Sequence, residues 1–225
     1  MIDSFIYALS SEFTPVVSEK YISNDFTPID LAETNTALKA IDVSSSKEME
    51  RYIMNLLEER GAKVAYGGYL EKRAIYSRST HFNQSNPETE RNIHLGIDLW
   101  CPAGTTIIAP LDGIVHSVQN NDKFGDYGPT IILEHNYGQN TFYTLYGHLS
   151  LSSLQIAIGK KVVKGEEIAM LGDAEVNGDY APHLHFQIIN DLAGRSGDYP
   201  GVCSKKDLEA FKKNCPDPNL LLNIY

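Results

Sequence analysis

Apolar positions along the chain fall into two rhythms. Between Ser46 and Arg60, Met49, Ile53, Leu56 and Leu57 recur at helical spacing, Ser45-Ser-Lys-Glu48 reads as a capping box and Gly61 as a stop. The pattern predicts a helix over about 46–60. From Ile93 to Ile189 the rhythm shortens. Thr106-Ile-Ile-Ala, Gly113-Ile-Val-His-Ser-Val, Thr130-Ile-Ile-Leu-Glu-His and Thr141-Phe-Tyr-Thr-Leu-Tyr are β-rich runs, parted by Gly, Asn and Asp turns such as Asn136-Tyr-Gly. They predict a compact antiparallel sandwich or barrel, mainly β, with helix confined to the flanks. Ser204-Lys-Lys-Asp207 predicts a second helix, to about Asn214, and the apolar tail Leu220–Ile224 is expected to pack back as a strand or anchor.

The pattern divides the chain into an N-terminal extension (1–90), a β core (91–190) and a C-terminal extension (191–225). Residues 1–45 read as an extended, docked arm. Residues 63–90 open on a strand-like run and then become a polar loop carrying Arg73, Tyr76, Arg78 and His81.

Four of the seven histidines sit in three short stretches: His94-Leu-Gly-Ile-Asp98, Tyr146-Gly-His148 and Pro182-His-Leu-His-Phe186. In a strand, residues i and i+2 share a face. His183 and His185 therefore stand side by side, while Leu184 and Phe186 face a core. His94 and Asp98, four apart, are expected on one face of a strand; β-branched Ile93 and Ile97, with Gly96, weigh against a helix. A lone His-x-His is more often a surface or satisfied core pair. Three such stretches together point to zinc, which takes nitrogen and oxygen ligands at about 2.0–2.2 Å and, in catalytic sites, three protein ligands and an open position. There is no His-Glu-x-x-His helix, so a glutamate base is not implied.

These stretches, with Pro102-Ala-Gly104, Ala109-Pro-Leu-Asp-Gly-Ile-Val115, Val162-Val-Lys-Gly-Glu-Glu-Ile-Ala169 and Gly172, come in an order that resembles the lysostaphin-type (LytM-like) zinc endopeptidases. The resemblance runs from about Asn92 to Ile189. It implies a fold of the duplicated hybrid motif type, zinc held by His94, Asp98 and His185, and His148 and His183 in the catalytic positions. It also implies a peptide or peptidoglycan-like substrate. Relatives often carry a tyrosine shortly before the metal histidine; here Glu88-Thr-Glu-Arg91 stands in its place, leaving Arg73, Tyr76 and Arg91 as candidates for the oxyanion and the substrate groove. Some relatives have lost metal ligands and act only as activators, so a non-catalytic binding module is one alternative.

Composition adjusts this picture slightly. At 225 residues, 42% apolar and 21% charged, the chain is ordinary for a globular protein. A net charge of −10 argues against nucleic acid or an anionic membrane as partner. The N-terminus shows no positive segment followed by a long apolar run, so a cytoplasmic location is expected, with the cell envelope as the other possibility. That expectation and the acidic charge keep an intracellular, non-wall amidase as a second alternative. Cys101, Cys203 and Cys215 lack CxxC spacing and are read as reduced thiols.

Overall fold

The structure, a computed structural model, describes residues 6, 8–9, 14–18, 20–79, 82, 86 and 88–225. Twelve strands are described: β1 (Phe26–Pro28), β2 (Val64–Gly67), β3 (Arg91–His94), β4 (Ile97–Trp100), β5 (Thr106–Ile108), β6 (Gly113–Asn121), β7 (Gly128–Tyr137), β8 (Asn140–Gly147), β9 (Lys161–Val162), β10 (Glu167–Met170), β11 (His183–Ile189) and β12 (Val202–Ser204). Eight of them form one sheet in the order β1-β2-β4-β11-β8-β7-β6-β9. All its pairings are antiparallel except β1 on β2, which is parallel and makes the sheet mixed. Two small antiparallel pairs, β5·β10 and β3·β12, complete the β structure.

The large sheet is covered on both faces, which explains why β11 is buried at every position and β7 at seven of its ten. On one face Leu184, Phe186 and Ile188 join Ile107, Ile131, Leu133 and Phe142 in the main core. On the other, Leu95, Ile132, Leu145 and Ile189 pack with Cys203 and Cys215. The alternation in His-Leu-His-Phe thus resolves as expected: the leucine and phenylalanine enter the core and the histidines face away.

Helix α1 (Ser46–Arg60) ends at Gly61 in a left-handed conformation, φ 62°. Its Met49, Ile53 and Leu57 pack on Ala65 and Trp100. The expected capping box is half formed. Ser45 Oγ accepts from the Glu48 amide, whereas the Glu48 carboxylate accepts from the Asp42 amide instead of that of Ser45. The second predicted helix is shorter than expected. Ser204 is drawn into β12 opposite Arg91, so α2 spans Leu208–Asn214. The tail turns into a short helix, α3 (Asn219–Leu222), which anchors Leu221 and Leu222 in the main core.

Ahead of α1 the described residues form 3-10 turns at Ser23–Asp25 and Thr36–Ala40 and the strand β1; most of residues 1–13 lie outside the described residues, as does His81. The three cysteines are buried and free. Among the described residues no helix is long and apolar enough to cross a membrane.

His135 is fully buried in β7, with Nδ1 2.8 Å from the Asp112 carbonyl and Nε2 2.8 Å from Thr144 Oγ1. Burial lowers its pKa to about 4. The folded state keeps this imidazole neutral while the unfolded chain protonates it near 6.5. Its contribution is therefore intact above pH 6.5 and is lost as the pH falls towards 4. Urea unfolding should show a His135-dependent loss of roughly 2 kcal/mol between pH 7 and pH 5. His135→Gln, compared with the parent over the same two pH values, should flatten that loss.

Candidate metal centre

The sequence pattern places His94 and Asp98 on one strand, but the structure divides them. His94 closes β3, which pairs with β12, whereas Asp98 lies in β4 of the large sheet. Leu95-Gly96 makes the crossing. A Cβ on Gly96 would sit 2.7 Å from both His185 Cε1 and the Phe186 carbonyl oxygen, so only glycine lets the link pass this close to the third residue of the group. Register then assembles the rest. Asp98 faces His185 across β4·β11, and His185 faces Gly147 across β11·β8. His148 follows directly, in a left-handed conformation, φ 64°.

His94 Nε2, His185 Nδ1 and Asp98 Oδ1 converge. The two nitrogens are 2.8 Å apart, and each is 3.2 Å from the carboxylate oxygen. A tetrahedral ion with bonds of 2.0–2.1 Å would separate its ligands by about 3.3 Å, close to this triangle. Hydrogen bonds behind the rings decide which nitrogens carry protons. His94 Nδ1 donates to the Gly68 carbonyl at 3.0 Å. His185 Nε2 donates to Gln187 Oε1 at 2.9 Å, and Gln187 is itself oriented by its own Nε2 donating to the Pro200 carbonyl. Both tautomers leave a bare lone pair facing the other ring and the carboxylate. Three buried acceptors with no proton between them repel one another unless a cation lies among them, so the donor set fits a divalent ion.

Asp98 is held from behind as well. Its second oxygen, Oδ2, accepts from Arg73 Nη1, and Arg73 Nε donates to Glu71. Burial alone would raise the Asp98 pKa. The permanent charge of Arg73 opposes that rise, and the carboxyl is held well below the usual carboxylate range. Burial pushes His94 down to about 4, so this imidazole is neutral at pH 7, as a metal ligand must be. Gly68, at φ 104°, leaves room for the guanidinium: a Cβ there would stand 1.9 Å from Arg73 Nη2.

His148 and His183 flank this triangle, with ring centroids 4.2 Å apart. Each spends its Nδ1–H on a backbone carbonyl, His148 on Asn177 and His183 on Ala181, both at 2.7 Å. Their Nε2 atoms are bare; that of His183 lies 3.9 Å from Asp98 Oδ1. Burial holds both imidazoles below their ordinary pKa, His148 strongly. Two residues without any motif signal frame them. Tyr127 packs its ring 5.0 Å from His185 and 5.7 Å from His148, and its hydroxyl donates to the Tyr199 carbonyl. Tyr180 packs 5.1 Å from His148 and donates to the Gly125 carbonyl.

The site opens into a cleft of about 470 Å³. All three residues expected in a substrate groove line it, but two are already engaged. Arg73 holds Asp98 and Glu71, and Arg91 Nε donates to the Val202 carbonyl. Tyr76 is buried beside Arg73, and burial raises its pKa far above the usual phenol range. His116 and His135 stand apart from the site. His116 lies 2.9 Å from Ser117 Oγ, and His135 is satisfied inside β7.

Residues 92–197 match the model of peptidase family M23. An uncharacterized metalloprotease of Haemophilus influenzae is 35% identical over 126 residues, which is 55% of this chain and 25% of that protein. Endolysin 2638A of Staphylococcus phage 2638A is 25% identical over 165 residues, 70% of this chain and 32% of the endolysin. The matched stretch thus spans about a quarter to a third of the curated relatives. Among solved structures, the catalytic domain of the antimicrobial peptidase lysostaphin from Staphylococcus simulans aligns at 26% identity with a TM-score of 0.39, over 54% of this chain and 80% of that domain. Over residues 92–197, just under half of its length, the chain is thus similar to peptidase family M23.

Proposed function

We propose that the chain is a zinc-dependent endopeptidase that hydrolyses amide bonds in peptides of the peptidoglycan kind. The observation that carries this reading is the arrangement of four imidazoles. Two turn bare nitrogens onto the Asp98 carboxylate, and two more present bare Nε2 atoms beside them. His94, Asp98 and His185 would hold the metal. When bound, zinc supplies a Lewis acid and brings the pKa of a water towards neutrality.

The chain's own groups do the rest. His148 and His183 are neutral and locked by their Nδ1–H bonds, so each offers Nε2 to accept a proton from the attacking water. Once protonated, the same atom donates to the developing oxyanion or passes the proton to the leaving amine. Arg73 keeps Asp98 ionised and fixes Oδ1 towards the ligand nitrogens. Tyr127 and Tyr180 pack the imidazoles into place with hydroxyls spent on backbone carbonyls, so neither ring is free to swing.

The protein reconstituted with zinc should carry about one ion per chain by elemental analysis, and His185→Ala should carry none. Gln187→Ala, which frees the far side of that imidazole, should weaken zinc roughly 10–100-fold in a chelator competition. Zinc retained by His185→Ala at parental affinity would falsify the ligand assignment.

His148→Ala and His183→Ala should each keep zinc yet lose about 10²–10⁴-fold in turnover. Zinc-loaded protein incubated with purified sacculi, with products identified by mass spectrometry, measures this and locates the bond cut. A variant that keeps both zinc and full rate would remove its histidine from the mechanism, and release of no peptide by the intact protein would remove the wall as substrate.

A further inference from the structure

The cleft is bounded on one side by residues that lie outside the stretch matching the peptidase family. Leu31, Leu38, Val43 and Met49, from the N-terminal arm and the start of α1, line it together with Trp100 and Ala181. This wall is built into the fold rather than draped on it. The Ile29 amide donates to the Tyr66 carbonyl, the Leu31 amide to Glu71 Oε1 and the Glu33 amide to the Lys72 carbonyl. On the far side of the 3-10 turn, Arg78 donates to the Ser44 carbonyl and Ser46 Oγ to Asp179 Oδ1, at 2.7 and 2.8 Å. The arm is therefore tied down on both sides of the wall.

Trp100 makes the wall continuous with the chemistry. Its ring stacks on His183 at 5.6 Å and 23°, and the Arg73 guanidinium that holds Asp98 lies 5.4 Å from its centre. A substrate bound against the imidazoles thus passes directly over apolar surface. Leu38 and Val43 are only half-buried there, so apolar area stands open in a cleft, where a ligand side chain would release its water. A strand of glycines has no side chain to fill such a wall and would leave it wet.

We propose that Leu31, Leu38, Val43 and Met49, closing on Trp100 and Ala181, form an apolar subsite that takes a bulky aliphatic or aromatic side chain of the peptide beside the bond cut. The substrate is then a peptide with such a residue rather than an oligoglycine bridge. This specificity rests on the peptidase reading, so its test is made first on binding. Trp100 is the single tryptophan of the chain and sits in the wall, so its fluorescence reports occupancy.

The metal-free full chain is titrated with blocked pentapeptides that carry Gly, Ala, Leu or Phe at one position among glycines. The Leu and Phe peptides should bind roughly tenfold or more tighter than pentaglycine. Leu38→Ala and Val43→Ala, both at half-exposed positions, should shrink that preference several-fold, read as the ratio of the Leu or Phe affinity to the pentaglycine affinity of the same variant. Equal affinities across the series, no fluorescence response to any peptide, or a preference untouched by both variants would overturn the subsite. The same peptides are then given to the zinc-loaded protein. Cleavage ranked as the affinities are ranked supports both readings. Ranked binding with every peptide left intact keeps the subsite and sinks the peptidase.

Discussion

A single buried carboxylate sets the terms for the rest of this site. Asp98 is almost wholly removed from water, and an ionised group in that position costs several kcal/mol unless it is compensated. Only one of its two oxygens is compensated by a donor of the chain. Oδ2 is given to Arg73, a charge that cannot be titrated away, and Oδ1 is turned towards two imidazole lone pairs that offer it no proton. Glu71 in turn balances Arg73. The register that sets Asp98 opposite His185, the glycine that brings His94 across from another strand, and the carbonyls that fix each tautomer all serve to hold acceptors where unaided they would repel.

Much of this was legible in the residues, for reasons tied to periodicity. A strand's two-residue repeat separates His183 and His185 from Leu184 and Phe186 without any knowledge of neighbours, and the structure sorts them in that way. The helix over Ser46–Arg60 was equally open to reading, because its stripe and its stop are local. Misreadings arose where pairing overrides local pattern. His94 and Asp98 looked like one strand because spacing says nothing about a change of partner, and Ser204 looked like a helix start because its draw into β12 comes from Arg91, far away in sequence. Gln187, Tyr127, Tyr180 and Gly68 carried no signal at all. Each matters through one tertiary contact, and nothing in the composition of its own segment announces it. Arg73 was visible as a residue of interest, but a polar loop suggests solvent or substrate, not a carboxylate on another strand.

The division between matched and unmatched sequence is also a division of labour. All five residues of the imidazole and carboxylate group fall within 92–197, while Arg73, Glu71 and most of the apolar wall come from the preceding segment. A fold can host many chemistries, and a chemistry many specificities. Here the matched segment carries the four imidazoles and the carboxylate, and the chain ahead of it shapes what lies next to them and steadies one of them.

That steadying has a thermodynamic corollary. The Leu31 amide donates to one oxygen of Glu71, Arg73 Nε donates to the other, and Arg73 Nη1 reaches Asp98. An unbroken run of charged hydrogen bonds therefore connects a turn of the arm with the carboxylate of the candidate metal centre. Linkage between two such equilibria is reciprocal. Whatever free energy the docked arm would lend to an ion held there, that ion would return to the docking of the arm. An ion held by His94, Asp98 and His185 would then tighten the cleft wall as far as the docked wall tightens the ion.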